Sequence, residues 1–294
     1  MQPRAVLVPG AVLARAGDEN FPVASRWLPR RERAHLLALY GFARLVDDAG
    51  DEAPGDRLAL LEDLAADLER VFQAGDPQHP LLRRLVPTVR ACALPREPFE
   101  ALLEANRRDQ RVHRTATWEE LLAYCELSAN PVGRLVLHVF SAASPERLAL
   151  SDAISSGLQL VEHWQDVAED AARGRVYLPA EDLARFGVRE ADLRARRASP
   201  ELRGLLRFEV ERARGLLAAG EPLVRSLRGR FGLAVAAFAA GGRAALDAIE
   251  RAGFDVLAGP PRARRRDRAR QLLLLLLAAR RAPPPGQPLA WHGR

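Results

Sequence analysis

Apolar residues recur at intervals of three and four positions along almost the whole chain, which is the spacing of one face of an α-helix. No stretch alternates apolar and polar residues in the way that predicts a β-strand. Proline, glycine and serine mark the ends of the periodic stretches. The pattern predicts an all-α protein of about eight helices, over residues 32–46, 56–74, 97–113, 118–140, 145–171, 200–227, 230–252 and 266–282.

The connections that this pattern leaves between helices are short, so the 294 residues favour a single domain over about 15–282. Residues 283–294 begin with three prolines and a glycine, and we expect them to be a disordered tail. The longest apolar run, 272–279, is far shorter than the roughly 20 residues that cross a bilayer. Prolines interrupt the N-terminal residues, which are not expected to be a signal peptide. A cytoplasmic protein is expected.

One polar stripe interrupts the apolar pattern of the first predicted helix, at Tyr40, Arg44, Asp47 and Asp51. The other sides of this helix are mostly Leu, Ala, Phe and Val, so it is predicted to be buried with the stripe facing the protein interior. Two aspartates four residues apart repel each other and need a cation. Arg44 supplies one positive charge and a divalent metal would supply the rest. The alternative is a hydrated helix end before the turn at Pro54–Gly55.

A second polar stripe lies on the predicted helix 145–171 and contains Ser155, Gln159, Glu162, Asp166 and Asp170. Alone, it would be the acidic outer face of an amphipathic helix. It is, however, the second Asp-x-x-x-Asp of the chain, and two such stripes that face each other form a cage of carboxylates. Mg²⁺ takes one or two carboxylates per ion and completes its shell with water and substrate phosphate. The two stripes therefore predict metal-assisted binding and departure of a diphosphate.

Arginine supplies all 44 basic residues other than histidine, because the chain contains no lysine. This excludes enzymes built on a Schiff-base lysine and phosphate sites built on a P-loop or kinase lysine. Compositional bias is the simplest reason for the arginines, so the net charge of +6 gives no ground to expect a nucleic-acid partner. The two cysteines, Cys92 and Cys125, form no CxxC pair and suggest no disulfide framework.

Five segments of the chain resemble the squalene/phytoene synthase family of head-to-head prenyl synthases. They are residues 19–25, 40–48, 124–134, 157–167 and 174–179. The sequences Asn-Phe-Pro-Val-Ala-Ser, Ser-Ala-Asn-Pro-Val-Gly and Trp-Gln-Asp within them resemble the hydroxysqualene synthase branch of bacterial hopanoid and squalene biosynthesis. The resemblance implies a single-domain isoprenoid synthase helical bundle that encloses a central cavity.

The resemblance also implies a reaction. Presqualene diphosphate would lose its diphosphate with the help of two or three Mg²⁺ ions, and water would capture the rearranged carbocation to give hydroxysqualene. No nicotinamide is needed, and the chain shows no glycine-rich turn after a strand. A presqualene diphosphate synthase would supply the substrate and a hydroxysqualene reductase would consume the product.

Individual residues receive roles from the same resemblance. The expected metal ligands are Asp47, Asp48, Asp51, Glu162, Asp166 and Asp170. The residues expected to act in catalysis are Tyr40, Arg44, Asp47, Asp51, Asp166 and Asp170. Those expected to bind the substrate are Phe21, Tyr40, Arg44, Tyr124, Ser128, Gly133, Gln159, Arg175 and Tyr177. Pro131 and Gly133 are expected to open room for a prenyl tail, by removing a helical hydrogen bond and a side chain.

Two positions depart from the family pattern. Glu162 stands where the family usually has Asn, so it keeps an oxygen ligand but adds a negative charge to the cage, which would alter the affinity for metal. His163 replaces a usually apolar residue and lies off the polar stripe, so we expect a packed histidine rather than an acid or base.

Two other functions stay open at this point. The chain could be another head-to-head synthase that makes presqualene diphosphate, squalene or phytoene, or a homologue without catalysis that acts as a binding or assembly protein. The four aspartates of the two stripes argue against the last. Segment 262–281 is a further open point: its arginine-flanked leucines fit peripheral contact with the inner face of a membrane, and burial as a terminal core helix is the alternative.

Overall fold

A computed structural model describes residues 28–73 and 75–281 of the chain. In this part the prediction of an all-α fold is confirmed: there are thirteen α-helices, a 3₁₀ helix at Glu190–Arg194 and no strand, and one isolated β-bridge joins Arg114 to Val176. The helices are α1 (Arg30–Asp51), α2 (Arg57–Phe72), α3 (Pro80–Cys92), α4 (Glu97–Asp109), α5 (Trp118–Ser128), α6 (Asn130–Val139), α7 (Pro145–Gln165), α8 (Val167–Ala172), α9 (Ala180–Phe186), α10 (Pro200–Gly220), α11 (Pro222–Ser226), α12 (Gly229–Arg251) and α13 (Arg265–Arg281).

The described part of the chain has thirteen α-helices rather than the predicted eight, because three long apolar patterns are broken and two helices, α3 and α9, lie outside the predicted stretches. The pattern over 118–140 becomes α5 and α6, since Ala129, with φ −115°, lies between the two helices and Pro131 has no N–H to donate. The pattern over 145–171 breaks at Asp166, which has φ −104° and ψ 15°. The pattern over 200–227 breaks at Glu221, and Pro222 begins α11. Helix α3 escaped prediction because Pro87 lies inside it.

Helix α7 runs through the middle of the bundle and packs along most of its length against α10. Its apolar face is fully buried at Leu160 and Trp164. Gly157 allows this close approach, because a Cβ there would lie 2.9 Å from the side chain of Leu217 on α10. Helices α6 and α12 also contact α7, so its polar stripe lies at the centre of the protein rather than on its outer surface.

Helix α12 is the only described helix that is long and apolar enough to cross a membrane, and 72% of its most apolar stretch is buried inside this bundle. Helix α13 packs on its outer side, where Leu275 contacts Ala239 and Ala240. The expected domain limits near residues 15 and 282, the expected tail 283–294 and Phe21 lie outside the described residues, so those expectations stay predictions.

Candidate active site

A central cavity of about 300 Å³ lies between helices α1, α4, α6, α7, α11 and α12. Most of its wall is apolar and includes Leu36, Leu39, Leu135, Leu137, Ile154, Leu158, Val235 and Phe238. Tyr40 from the first polar stripe also lines it. The expectation of a helical bundle around a cavity is therefore confirmed.

A polar pocket of about 240 Å³ adjoins this cavity. The two share the wall residues Arg44, Asp47, Leu102, Ser128, Gln159 and Glu162. The rest of the polar pocket is formed largely by charged and hydroxyl side chains, namely Asp51, Asp109, Tyr124, Asp166, Asp170, Arg173, Arg175 and Tyr177. The site is thus amphiphilic, with a charged end that continues into an apolar one.

The end of α1 forms one side of the polar pocket. Asp47 is accessible from the cavity, and its Oδ1 accepts a hydrogen bond of 3.2 Å from the side-chain amide of Asn106. Desolvation of the Asp47 carboxyl by the surrounding walls raises its pKa to about 6, against the opposing effects of that hydrogen bond and of the Arg44 charge. One turn later, Asp51 forms an ion pair with Arg175, with 2.7 Å between Oδ1 and Nη2. Both aspartates that line the pocket from α1 therefore have protein partners.

Asp48 does not fit the metal role that the resemblance gave it. Its carboxylate is 3% exposed, lines neither pocket and lies 2.8 Å from Nε of Arg44. Glu52 holds the other end of the same guanidinium at 3.2 Å. Asp48 comes four residues after Arg44, which is the helical spacing of an ion pair. Its place is to hold Arg44 at the cavity wall, and we leave it out of the proposed metal ligands.

The junction of α7 and α8 forms the other side of the pocket. Asp166 occupies the break between the two helices, and its carbonyl accepts the backbone N–H of Asp170 at 2.8 Å. The carbonyl of Asp170 in turn accepts the N–H of Arg175, which fixes Arg175 beside the pocket. Burial raises the pKa of both carboxyls, and the charge of Asp166 adds to the effect at Asp170, whose pKa reaches about 7. The charges of Arg173 and Arg175 oppose this rise at Asp170 without cancelling it, so the junction favours added positive charge.

Hard oxygen ligands line the polar pocket from both sides, at Asp47, Asp51, Glu162, Asp166 and Asp170. Among residues 28–73 and 75–281, no three acidic, histidine or cysteine side chains converge closely enough to hold one ion by themselves. Mg²⁺ does not need such a cluster, because it binds through one or two carboxylates together with water and phosphate oxygens. The raised pKa of Asp170 also indicates a place where added positive charge is favourable. The residues present fit Mg²⁺ bound jointly with a diphosphate.

Three neighbouring rings form the wall behind the carboxylates. The ring of His163 stacks on that of Tyr177 with 3.8 Å between centroids, and Tyr124 lies 5.6 Å from Tyr177. His163 is buried, and burial with the nearby Arg175 charge lowers its pKa to about 3, so the ring is neutral. It contacts the Gln159 amide at 3.3 Å. The expectation of a packed histidine thus agrees with its position, although the sequence analysis did not place it in the site.

Two residues of α4 were missed by the sequence analysis. Asn106 bonds Asp47, and Asp109 accepts the hydroxyl hydrogen of Tyr124 at 2.6 Å. Burial raises the pKa of Asp109 to about 6. A signal existed, because Leu102, Asn106 and Asp109 share one face of α4 at helical spacing, and α4 is otherwise anchored by apolar residues on that face.

Gly133 lines the cavity, but for a different reason from the one expected. A Cβ there would collide with the hydroxyls of Ser151 and Ser155, so the glycine lets α6 approach α7 closely rather than leaving empty space. Most other predicted residues do come together: the walls of the two pockets contain Tyr40, Arg44, Asp47, Asp51, Tyr124, Ser128, Gly133, Gln159, Glu162, Asp166, Asp170, Arg175 and Tyr177.

The profile of the squalene/phytoene synthase family matches residues 14–270 of the chain. A hydroxysqualene synthase of Rhodopseudomonas palustris is 37% identical over 74% of this chain and 75% of its own. A presqualene diphosphate synthase of the same organism is 32% identical over 74% of this chain and 78% of its own. The crystal structure of squalene synthase HpnC from Alicyclobacillus acidocaldarius superposes with a TM-score of 0.77, at 45% identity, over 84% of this chain and 92% of that one.

Proposed function

Because the chain belongs to the squalene/phytoene synthase family, we propose that it converts presqualene diphosphate to hydroxysqualene in a Mg²⁺-dependent reaction. The carbon–oxygen bond to the diphosphate breaks, the carbocation rearranges, and water forms a new carbon–oxygen bond and loses a proton. One water is consumed and diphosphate is released. Since no electrons are exchanged with a cofactor, no nicotinamide is required.

The observation that carries the proposal is the continuity of the two pockets. The substrate class has an anionic diphosphate head and long hydrocarbon chains, and the site has a charged end that runs into an apolar cavity. The apolar walls would hold the hydrocarbon and exclude water from the carbocation. Water would then reach the carbocation only from the polar end.

The chain's own residues would bind and orient the diphosphate end. Arg175 and Arg44 bring positive charge to the pocket, and their ion pairs with Asp51 and Asp48 hold both guanidinium groups in place. Asp47, Asp51, Glu162, Asp166 and Asp170 would hold Mg²⁺ from two sides. When bound, Mg²⁺ supplies positive charge that stabilises the departing diphosphate. Tyr124 and Tyr177 close the wall beside it, with Tyr124 fixed by Asp109.

A second candidate is the condensation of two prenyl diphosphates to presqualene diphosphate, squalene or phytoene, which the 32% identical presqualene diphosphate synthase favours. The third, a binding or assembly protein without catalysis, rests on Glu162 alone. For the first candidate, a presqualene diphosphate synthase would precede this protein and a reductase acting on hydroxysqualene would follow it. All three predict a cytoplasmic protein with no nucleic-acid partner.

One assay separates the three candidates. Purified protein is incubated with Mg²⁺, without nicotinamide, and with presqualene, farnesyl or geranylgeranyl diphosphate in separate reactions. Hydroxysqualene from presqualene diphosphate, with no turnover of the other two, is the expected result. Turnover of farnesyl or geranylgeranyl diphosphate would support the second candidate, a condensing synthase. Failure to consume any of the substrates would support the third, a binding or assembly protein.

A further inference from the structure

Helix α13 has one buried apolar face and one exposed apolar face. Leu275 is 3% exposed and packs on α12, whereas Leu273, Leu274 and Leu277 are 58%, 44% and 37% exposed. These three leucines are neighbours on one side of the helix. Among the described residues, the other exposed large apolar side chains are Val112 and Val132, which lie apart on different elements. The exposed face of α13 is therefore the one cluster of its kind in the described part of the chain, and such clusters mark interaction sites.

The same segment holds the excess positive charge of the protein. Residues 262–281 contain eight arginines and one aspartate, a net charge of +7, while the whole chain carries +6. All remaining residues together therefore carry −1. Asp267 pairs with Arg251 at 2.8 Å, which leaves the segment strongly basic. Arg266 and Arg270 precede the exposed leucines on their side of the helix and Arg280 follows them, and all three are exposed.

The position of α13 connects this surface to the cavity. Helix α13 runs antiparallel to α12: Asp267 contacts Arg251, Gln271 contacts Asp247, and Leu275 contacts Ala239 and Ala240. The start of α13 lies near the polar pocket, because the Gln165 amide donates to the carbonyl of Pro261.

Helix α13 runs on towards the N-terminal part of α12, whose Val235 and Phe238 line the apolar cavity. It also contacts α11, which contributes Leu223 to the same wall. The exposed leucines thus lie on the outside of the helices that close the apolar end of the cavity.

Charge decides which partner fits this face. In a two-fold dimer the same face of both copies would meet, so the three exposed arginines on that face would oppose their counterparts across an interface whose exposed apolar core is only three leucines. The last thirteen residues of the chain, 282–294, contain no aspartate or glutamate and so offer no counter-charge to the arginines. An anionic lipid surface supplies an apolar region for the leucines and negative charge for the arginines.

We propose that the exposed face of α13 docks on an anionic lipid bilayer, with Leu273, Leu274 and Leu277 in the interfacial region and Arg266, Arg270 and Arg280 on the lipid phosphates. This docking would place the apolar end of the cavity next to the hydrocarbon of the membrane. The proposal does not depend on the proposed reaction, because it concerns binding of the whole protein to lipid and is measured without substrate.

The experiment is vesicle flotation of the full chain in a density gradient. The probes are vesicles of phosphatidylcholine with phosphatidylglycerol and vesicles of phosphatidylcholine alone. Three proteins are compared with the native chain: the triple variant Leu273→Gln, Leu274→Gln, Leu277→Gln; a matched control, Val112→Gln, which changes an exposed apolar residue elsewhere; and a chain that ends at Arg281. Because the replaced side chains are exposed, circular dichroism is expected to show native helix content in all of them.

The native chain is expected to float with anionic vesicles and to do so less at high salt. The triple variant should lose roughly two orders of magnitude in partitioning, since three side chains no longer enter the interface, while Val112→Gln and the shortened chain keep it. The proposal is overturned if the native chain stays unbound, if the triple variant floats as well as the native chain, or if removal of 282–294 alone abolishes flotation. It is also overturned if the native chain is a dimer that the triple variant converts to a monomer without any lipid binding.

Discussion

The two aspartate segments of the polar pocket share a sequence pattern but differ in their surroundings. On α1, which continues unbroken through the motif, Asp47 receives a hydrogen bond from Asn106 and Asp51 is paired with Arg175. At the α7–α8 junction the helix breaks at Asp166, and among the described residues neither Asp166 nor Asp170 forms an ion pair. The protein gives partners to the carboxylates of the first segment and, in its described part, forms no ion pair with those of the second, which suits the second to the metal of the proposed function.

This difference teaches that equal spacing does not mean equal role. Asn106 and Arg175 hold the carboxylates of the α1 segment in place, so this segment would position metal and diphosphate with little rearrangement. The junction segment is under electrostatic strain, since burial and mutual repulsion raise the pKa of Asp170 to about 7. Binding of Mg²⁺ would relieve that strain, which makes the junction the more metal-dependent of the two.

Loss of a junction carboxylate should have the largest effect. Asp166→Asn or Asp170→Asn is expected to reduce turnover of prenyl diphosphate by roughly 1,000-fold, because several kcal/mol of metal-mediated stabilisation are lost. Steady-state kinetics measures the loss, and far-ultraviolet circular dichroism checks that the helices remain. The matched control is Glu169→Gln, in the same segment but exposed and paired with Arg173. Near-native turnover in Asp170→Asn would contradict the assignment.

Arg175 is the point at which the two segments meet, because its side chain pairs with Asp51 and its N–H bonds the carbonyl of Asp170. Arg175→Gln should lower kcat/KM by roughly 100-fold, since it removes a charge from the diphosphate pocket and leaves Asp51 unpaired. Arg175→Lys should recover part of the loss. Arg189→Gln, which removes an exposed arginine that pairs only with nearby Asp192 in the described structure, serves as the control. Equal kcat/KM values for Arg175→Gln and Arg189→Gln would contradict a role for Arg175 between the two aspartate segments.

The pH dependence of stability should report the unbalanced charge. The folded protein without metal binds protons at Asp170 near pH 7 and at Asp47 near pH 6, where the unfolded chain does not. These groups therefore stabilise the metal-free protein as pH falls through about 7, and this contribution is lost as pH rises.

Mg²⁺ needs the deprotonated carboxylates, so it should raise Tm by a few degrees more at about pH 8 than at about pH 5. Thermal unfolding with and without Mg²⁺ measures the difference, and Asp170→Asn should reduce it. A shift by Mg²⁺ that is the same at both pH values would argue against the raised pKa.

The smallest effect is expected at Glu162, which adds a charge to an already acidic pocket. Glu162→Asn should keep turnover, or improve it at low Mg²⁺, because one repulsive charge is removed while an oxygen ligand remains. The readout is the Mg²⁺ concentration that gives half-maximal rate. A complete loss of turnover would instead give Glu162 a dedicated role of its own.

The sequence predicted the helical fold and brought most of the site together, since helical spacing determines which residues share a face. It could not place Asp48, because the spacing that sets two aspartates against each other also pairs Asp48 with Arg44, and only the packing of α1 decides between them. It missed Asn106 and Asp109 because their partners are distant in the chain. It did not anticipate α3, because Pro87 lies inside that helix.

Packing also decides which leucines of residues 262–281 are buried and which are exposed. The leucine run is uniform in sequence, yet Leu275 is buried against α12 while Leu273 and Leu274 are exposed. The expected burial is therefore met on one face of the helix, and membrane contact through the opposite, exposed face stays a prediction. A pattern of six consecutive leucines contains no information about which face α12 covers.

The central claim is that the two aspartate segments form a single site for Mg²⁺ and diphosphate. Isothermal titration of Mg²⁺ with inorganic diphosphate into the native chain, Asp51→Asn, Asp166→Asn and the double variant tests it most directly. The account predicts that each single substitution weakens binding by at least about tenfold and that the double variant is little worse than the singles, because both ligands belong to one assembly. Native affinity in either single variant, or strictly additive losses in the double variant, would contradict it.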